Sequence, residues 1–181
     1  MAERYKGHQD IRWAYFKAAN SISSDGEHHR VLSAVLKSDG GERGTLVDTL
    51  RSAARISSDD DKAAVLAEAS RYYTDVDAIR EAYFDAANTI SSDDEHQKVL
   101  TELLHTPGLQ PATLAGIAKS AQRISSDDEK AKVLSELAAS DSGNTGLPTP
   151  CPNFLCSRGI THGLGRRCCD REFGQHSGFG L

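Results

Sequence analysis

The sequence predicts an all-α protein: an α-solenoid of four 34-residue helix-turn-helix repeats, followed by a disordered C-terminal tail. Three observations predict it. Ile22, Ile56, Ile90 and Ile124 are each followed by Ser-Ser-Asp, at a constant spacing of 34 residues. A fixed period of that size marks stacked helical units, each of which buries its apolar face only against its neighbours. Between these words the apolar residues recur at three- and four-residue steps, and no segment alternates with a period of two, so helices are expected and no sheet. From Asp141 onward the repeat words stop, and eight of the fifteen glycines, three of the five prolines and all four cysteines fall in that segment.

The units alternate. "AYFKAANSISSDGEHHRVL" matches "AYFDAANTISSDDEHQKVL" at a shift of 68, as "SAARISSDDDKAAVL" matches "SAQRISSDDEKAKVL". Adjacent units match less well, so the duplicated block is a pair of repeats. In the first helix of odd units the stripe Ile11, Tyr15, Ala18, Ala19 and Ile22 returns as Ile79, Tyr83, Ala86, Ala87 and Ile90. Tyr15 and Tyr83 lie on this stripe and are expected in the core. Even units use Leu46, Leu50 and Ala53, then Leu114, Ala118 and Ala121. Alanine at 19, 53, 87 and 121 suits a close approach of two helix backbones.

The second helix of each unit starts at the serine pair. Ser24, Ser58, Ser92 and Ser126 stand three residues before Glu27, Asp61, Glu95 and Glu129, the spacing of a capping box. The serine hydroxyl accepts a backbone N–H, and the acid is expected to reach back to the cap residue's own N–H. The acids between them place negative charge at the positive end of the helix dipole. Val31-Leu32, Val65-Leu66, Val99-Leu100 and Val133-Leu134 then begin the buried stripe. "KSDGGERGT", "SRYYTDVDA" and "HTPGLQPAT" punctuate the units with glycine, proline and Thr/Asp caps. The helices are expected near 9–21, 25–37, 46–55, 59–72, 76–88, 93–105, 112–122 and 127–140, in repeats near 9–37, 43–72, 75–105 and 111–140 of a domain spanning 1–140.

The period equals that of tetratricopeptide repeats, so the architecture is expected to be tetratricopeptide- or HEAT-like, although the Trp, Gly-Tyr and Pro positions of the former are not repeated. The words "SISSDGEHHRVL", "RISSDDDKAAVL", "TISSDDEHQKVL" and "RISSDDEKAKVL" resemble the "ISSDxEKxxVL" helical repeats in the C-terminal regions of bacterial membrane metallopeptidases of the BlaR1-like (M56) group, over about residues 9–140. The peptidase signature His-Glu-x-x-His is absent, because "GEHHR" and "DEHQK" have the wrong order and spacing, and the membrane helices of that group are absent too. The resemblance therefore implies a helical, ligand- or protein-contacting module, or a sensory accessory of a membrane peptidase signalling system, and no protease.

A formal charge of -5 without a basic cluster argues against nucleic acid as a partner. No apolar run reaches bilayer length and the N-terminus lacks the apolar centre of a signal peptide, so no membrane insertion is expected and a cytoplasmic location is the default. No nucleophile motif, phosphate loop or dinucleotide fingerprint occurs; no enzyme activity and no cofactor are expected. The acids at 25–27, 59–61, 93–95 and 127–129 read as helix caps rather than a calcium or partner ridge. His28, His29 and His96 read as solvated surface residues. A partner protein or peptide is expected to meet Arg12, Trp13, Arg80, Tyr72 and Tyr73, since exposed aromatics and arginines anchor protein contacts. Self-association through the repeat ends, into oligomers or filaments, is the structural alternative, because no strongly polar capping helix closes either end. In the tail, 141–181, low apolar content predicts disorder. A zinc site from Cys151, Cys156, His162, Cys168 and Cys169 fits its spacing poorly, and the abrupt loss of repeat words is also what a shifted reading frame would give.

Overall fold

The computed structural model describes residues 9–144. Among them are eight helices and no strand: α1 (Gln9–Ala19), α2 (Asp25–Asp39), α3 (Arg43–Ala53), α4 (Asp59–Ser70), α5 (Asp77–Ala87), α6 (Asp93–Leu104), α7 (Pro111–Ala121) and α8 (Asp127–Asn144). None of these helices is long and apolar enough to cross a membrane. The serines start the even-numbered helices as expected. Ser24, Ser58, Ser92 and Ser126 accept the backbone N–H three residues on at 3.5, 3.3, 3.4 and 3.4 Å.

Two boundaries differ from expectation. Helix α3 begins three residues early, because Glu42 rather than Thr45 is its cap: the Thr45 N–H donates to Glu42 Oε2 at 2.6 Å. Helix α8 runs on to Asn144, into the segment expected to be disordered. Each residue added to a helix already nucleated gains one backbone hydrogen bond, which lets α8 run past Ser140. The remaining tail expectations, disorder and the Cys151, Cys156, His162, Cys168 and Cys169 set, lie outside the described residues.

Helix α1 packs on α3, α3 on α5 and α5 on α7; α2 packs on α4, α4 on α6 and α6 on α8. Each odd-numbered helix also packs on the even-numbered one that follows it. A single apolar cluster runs through these contacts and holds Leu32, Leu66 and Leu100 together with Ile56, Ile90 and Ile124. Ala19, Ala53, Ala87 and Ala121 are buried, as close backbone approach requires. At Gly116 the fit is tighter still, since a Cβ would stand 2.4 Å from the Phe84 ring.

Burial depends on which neighbour a residue has. Ile79 and Tyr83 are buried, while their equivalents in the first unit, Ile11 and Tyr15, are exposed. Tyr15 was expected in the core; it lacks a preceding unit to cover it among the described residues. Conversely Leu32, Leu66 and Leu100 are fully buried, whereas Leu134 is 44% exposed. The positions of Ile79 and Tyr83 are therefore covered by the unit before, and that of Leu100 by the unit after.

Candidate functional site

The most regular feature is polar. Asp25 Oδ1 and Oδ2 accept the backbone N–H groups of Ser57 and Ser58 at 3.1 and 2.9 Å. Asp59 Oδ2 accepts from Ser91 and Ser92 at 3.0 and 2.9 Å, and Asp93 from Ser125 and Ser126 at 3.0 and 2.8 Å. The two N–H groups hold the Asp93 carboxyl below the usual carboxylate range. Each aspartate at the start of one even-numbered helix thus ties down the cap of the next. This corrects the expected capping box: at Ser58, Ser92 and Ser126 the cap N–H is taken by the preceding unit's aspartate, and the box glutamates turn elsewhere. Glu27, Glu95 and Glu129 pair with Arg30, Lys98 and Lys132.

The histidines differ from expectation as well. His28 and His96 are buried, and His29 is half-buried with Nδ1 3.0 Å from Asp61. His28 Nε2 lies 2.9 Å from Ser52 Oγ, whose hydroxyl donates to Asn20 Oδ1 at 2.6 Å. His96, Ser120 and Asn88 repeat the arrangement at 2.9 and 2.8 Å. Because the serine proton goes to asparagine, the serine oxygen accepts from Nε2–H. Burial lowers both histidine pKa values. Ser52 and Ser120 are each only 2% exposed, so the Ser–His contact offers no accessible nucleophile. At the intervening joint the equivalent residue is Lys62, buried, with Nζ donating to the Thr89 carbonyl at 3.1 Å and lying 3.5 Å from Asp59.

The five expected contact residues separate. Trp13 is exposed, with Lys17 Nζ 4.8 Å above its ring. Arg12 is largely committed within the chain: its guanidinium pairs with Glu42 at 3.1 Å and Asp48 at 2.9 Å, and it lies against Gly44, where any Cβ would collide with it. Arg80 is bound to Asp75 at 3.1 Å and to Asp77. Tyr72 is half-buried over Gly40. Tyr73, expected on the contact surface, instead lies in the core. Its hydroxyl donates to Thr113 Oγ1 at 2.9 Å while Thr113 donates to Asp75, and its ring meets Tyr83 edge-to-face at 5.7 Å. Burial pushes the Tyr73 phenol pKa up.

Of the five, Arg12 and Trp13 line an open cleft, and of these two only Trp13 is exposed. The cleft, of about 690 Å³, runs between α1 and α3 and is lined by Trp13, Lys17, Asn20, Asp48, Arg51 and Arg55, with Arg12 in its wall. Lys17, Arg51 and Arg55 are exposed, and neither arginine has an ion-pair partner among the described residues. Asp48, the only carboxylate of the cleft among the described residues, is held by Arg12. Sequence reasoning missed this grouping because Arg51 and Arg55 stand 38 and 42 residues after Trp13, further than a local window reaches. The signal lay in the period, which places Lys17 above Arg51 and Ser21 above Arg55.

Comparison of the chain with protein-family models, with curated proteins and with solved structures found no match.

Proposed function

We propose that the chain is an α-solenoid of four tetratricopeptide- or HEAT-like repeats acting as a non-enzymatic module for protein–protein interaction or scaffolding, and that the cleft between α1 and α3 receives an acidic segment of a partner protein. The observation that carries this reading is the combination of an exposed Trp13 with three cations, Lys17, Arg51 and Arg55, in one concave site. An exposed tryptophan offers a large apolar anchor with few rotamers to freeze. Arginines with no internal carboxylate are available to grip an external one in two-pronged fashion. The rigid floor supports the same reading, because Asn20–Ser52–His28 and Arg12–Asp48 fix α1 against α3 beneath the cleft.

Selection of a random peptide display library on the immobilised full chain tests it, with the Arg51→Glu/Arg55→Glu double variant as the counter-target. Acidic peptides carrying an aromatic or aliphatic residue should be enriched, should lose binding on the variant and should weaken as salt is raised. No enrichment, or enrichment indifferent to the variant, contradicts the proposal.

A further inference from the structure

We infer that the chain binds a second copy of itself head to tail, the last unit of one copy docking on the first unit of the next through the same contacts that join units two and three within the chain. This does not rest on the cleft; it rests on what the two ends of the row present.

The internal joint between α3–α4 and α5–α6 has two halves. The leading half offers Leu46 and Leu66 as apolar contacts, Asp59 as acceptor for two backbone N–H groups, and Lys62 as donor to a carbonyl. The receiving half offers Ile79, Tyr83 and Ala86 from α5, the N–H groups of Ser91 and Ser92, and the Thr89 carbonyl.

Among the described residues the row runs from an odd unit to an even one, so a shift of 68 maps each half onto an end of this row. Leu114, Leu134, Asp127 and Lys130 stand where the leading half has Leu46, Leu66, Asp59 and Lys62. Ile11, Tyr15, Ala18, Ser23 and Ser24 stand where the receiving half has Ile79, Tyr83, Ala86, Ser91 and Ser92. The residue identities are the same at every one of these positions, and Ser21 replaces Thr89, whose backbone carbonyl alone is used.

Burial singles out the same residues. The exposed large apolar side chains among the described residues are Ile11, Trp13, Tyr15 and Leu134, and three of the four belong to these two halves. Ile11 is 62% exposed against 1% for Ile79, and Leu134 44% against 0% for Leu66. Asp25, Asp59 and Asp93 each hold two N–H groups of a following unit, whereas the Asp127 side chain is fully exposed, with Lys130 3.9 Å away. Leu114, Ala118, Leu134 and Leu137 line an open hollow of about 400 Å³ at this end. Here Ala118 and Leu137 stand where the internal joint has Leu50 and Ala69, an exchange of large for small in each direction.

Such an interface is heterologous, since different surfaces meet. It adds copies by one repeated rotation and translation, and grows an open assembly unless the rotation closes a ring. Repeat arrays kept apart carry a polar outer face on their terminal units, and an exposed Ile, Tyr and Leu at matching sites is the reverse of that.

Sedimentation velocity on the full-length chain over a rising concentration series tests the inference, with Tyr15→Arg and Leu134→Arg as variants. Both positions are exposed, so helical circular dichroism should match the parent. The parent should grow beyond the dimer with concentration, while each variant alone should stay monomeric. An equimolar mixture of the two should form a dimer and nothing larger, because Leu134→Arg retains the receiving half and Tyr15→Arg the leading half. A parent that stays monomeric throughout overturns the inference. So does a variant that still associates alone, or a mixture that fails to pair.

Discussion

Burial lowers the pKa of His28 and His96 because the low-dielectric interior penalises the imidazolium. Around His28 stand Asp25, which opposes the shift, and Arg55, which adds to it; around His96 stand Arg123, which adds, and Asp93 and Asp59, which oppose. A lowered histidine pKa means that the unfolded chain takes up its proton first. Stability is therefore fully present above the unfolded value of about 6.5 and declines as pH falls through it toward the folded value. The urea midpoint should drop between pH 7.5 and 5.5 in the parent, and the drop should be smaller in the His28→Gln/His96→Gln variant; equal drops would contradict the account. Asp93 adds a separate loss in more acidic solution, where its N–H-stabilised carboxylate is protonated. The histidines were misread from sequence because their partners are distant: Ser52 and Ser120 lie 24 residues on, and a first-turn histidine beside acids looks solvated in any short window. The clue was the joint recurrence of Asn20, His28 and Ser52 as Asn88, His96 and Ser120, a set that the even units lack.

At the scale of the element, what could be read from sequence is what depends on residues within one turn. The cap serines, the three- and four-residue apolar steps and the buried alanines are local patterns, and they place the helices to within a few residues. Ser92→Ala should cost about 1 kcal/mol in a denaturant melt, the worth of one cap. Ile90→Ala should cost about 2–5 kcal/mol, because Ile90 belongs to the shared cluster and leaves a cavity. Ala87→Leu should cost about 1–3 kcal/mol by forcing apart helices that meet on its small side chain. Costs near zero for all three would refute the packing. The Glu42 cap escaped notice because its position is fixed partly by Arg12, 30 residues away. The cleft escaped for the same reason, being made by two helices rather than one.

In the whole molecule, one "ISSD" word performs two tasks. Its serine caps its own helix, and its aspartate holds the cap of the next, so every joint combines an apolar contact with a pair of charge-assisted hydrogen bonds across 32 and 33 residues. Only the first task was legible, since a cap is complete within four residues and the second bond has no local signature. The same grammar that ties units together inside the row is what the two ends offer outward, which links the fold to the assembly inferred above. Asp59 and Asp127 both follow "RISS" and open a helix, and among the described residues they differ in whether a following unit is present. The most direct test of this account compares Asp59→Ala with Asp127→Ala in urea melts at a concentration where the chain is monomeric. The account predicts a loss of about 1–3 kcal/mol for Asp59→Ala, the value of hydrogen bonds to a charged group, and a clearly smaller one for Asp127→Ala, which loses only its place at the helix dipole. Equal losses would show that these aspartates act only on their own helices, and would contradict it.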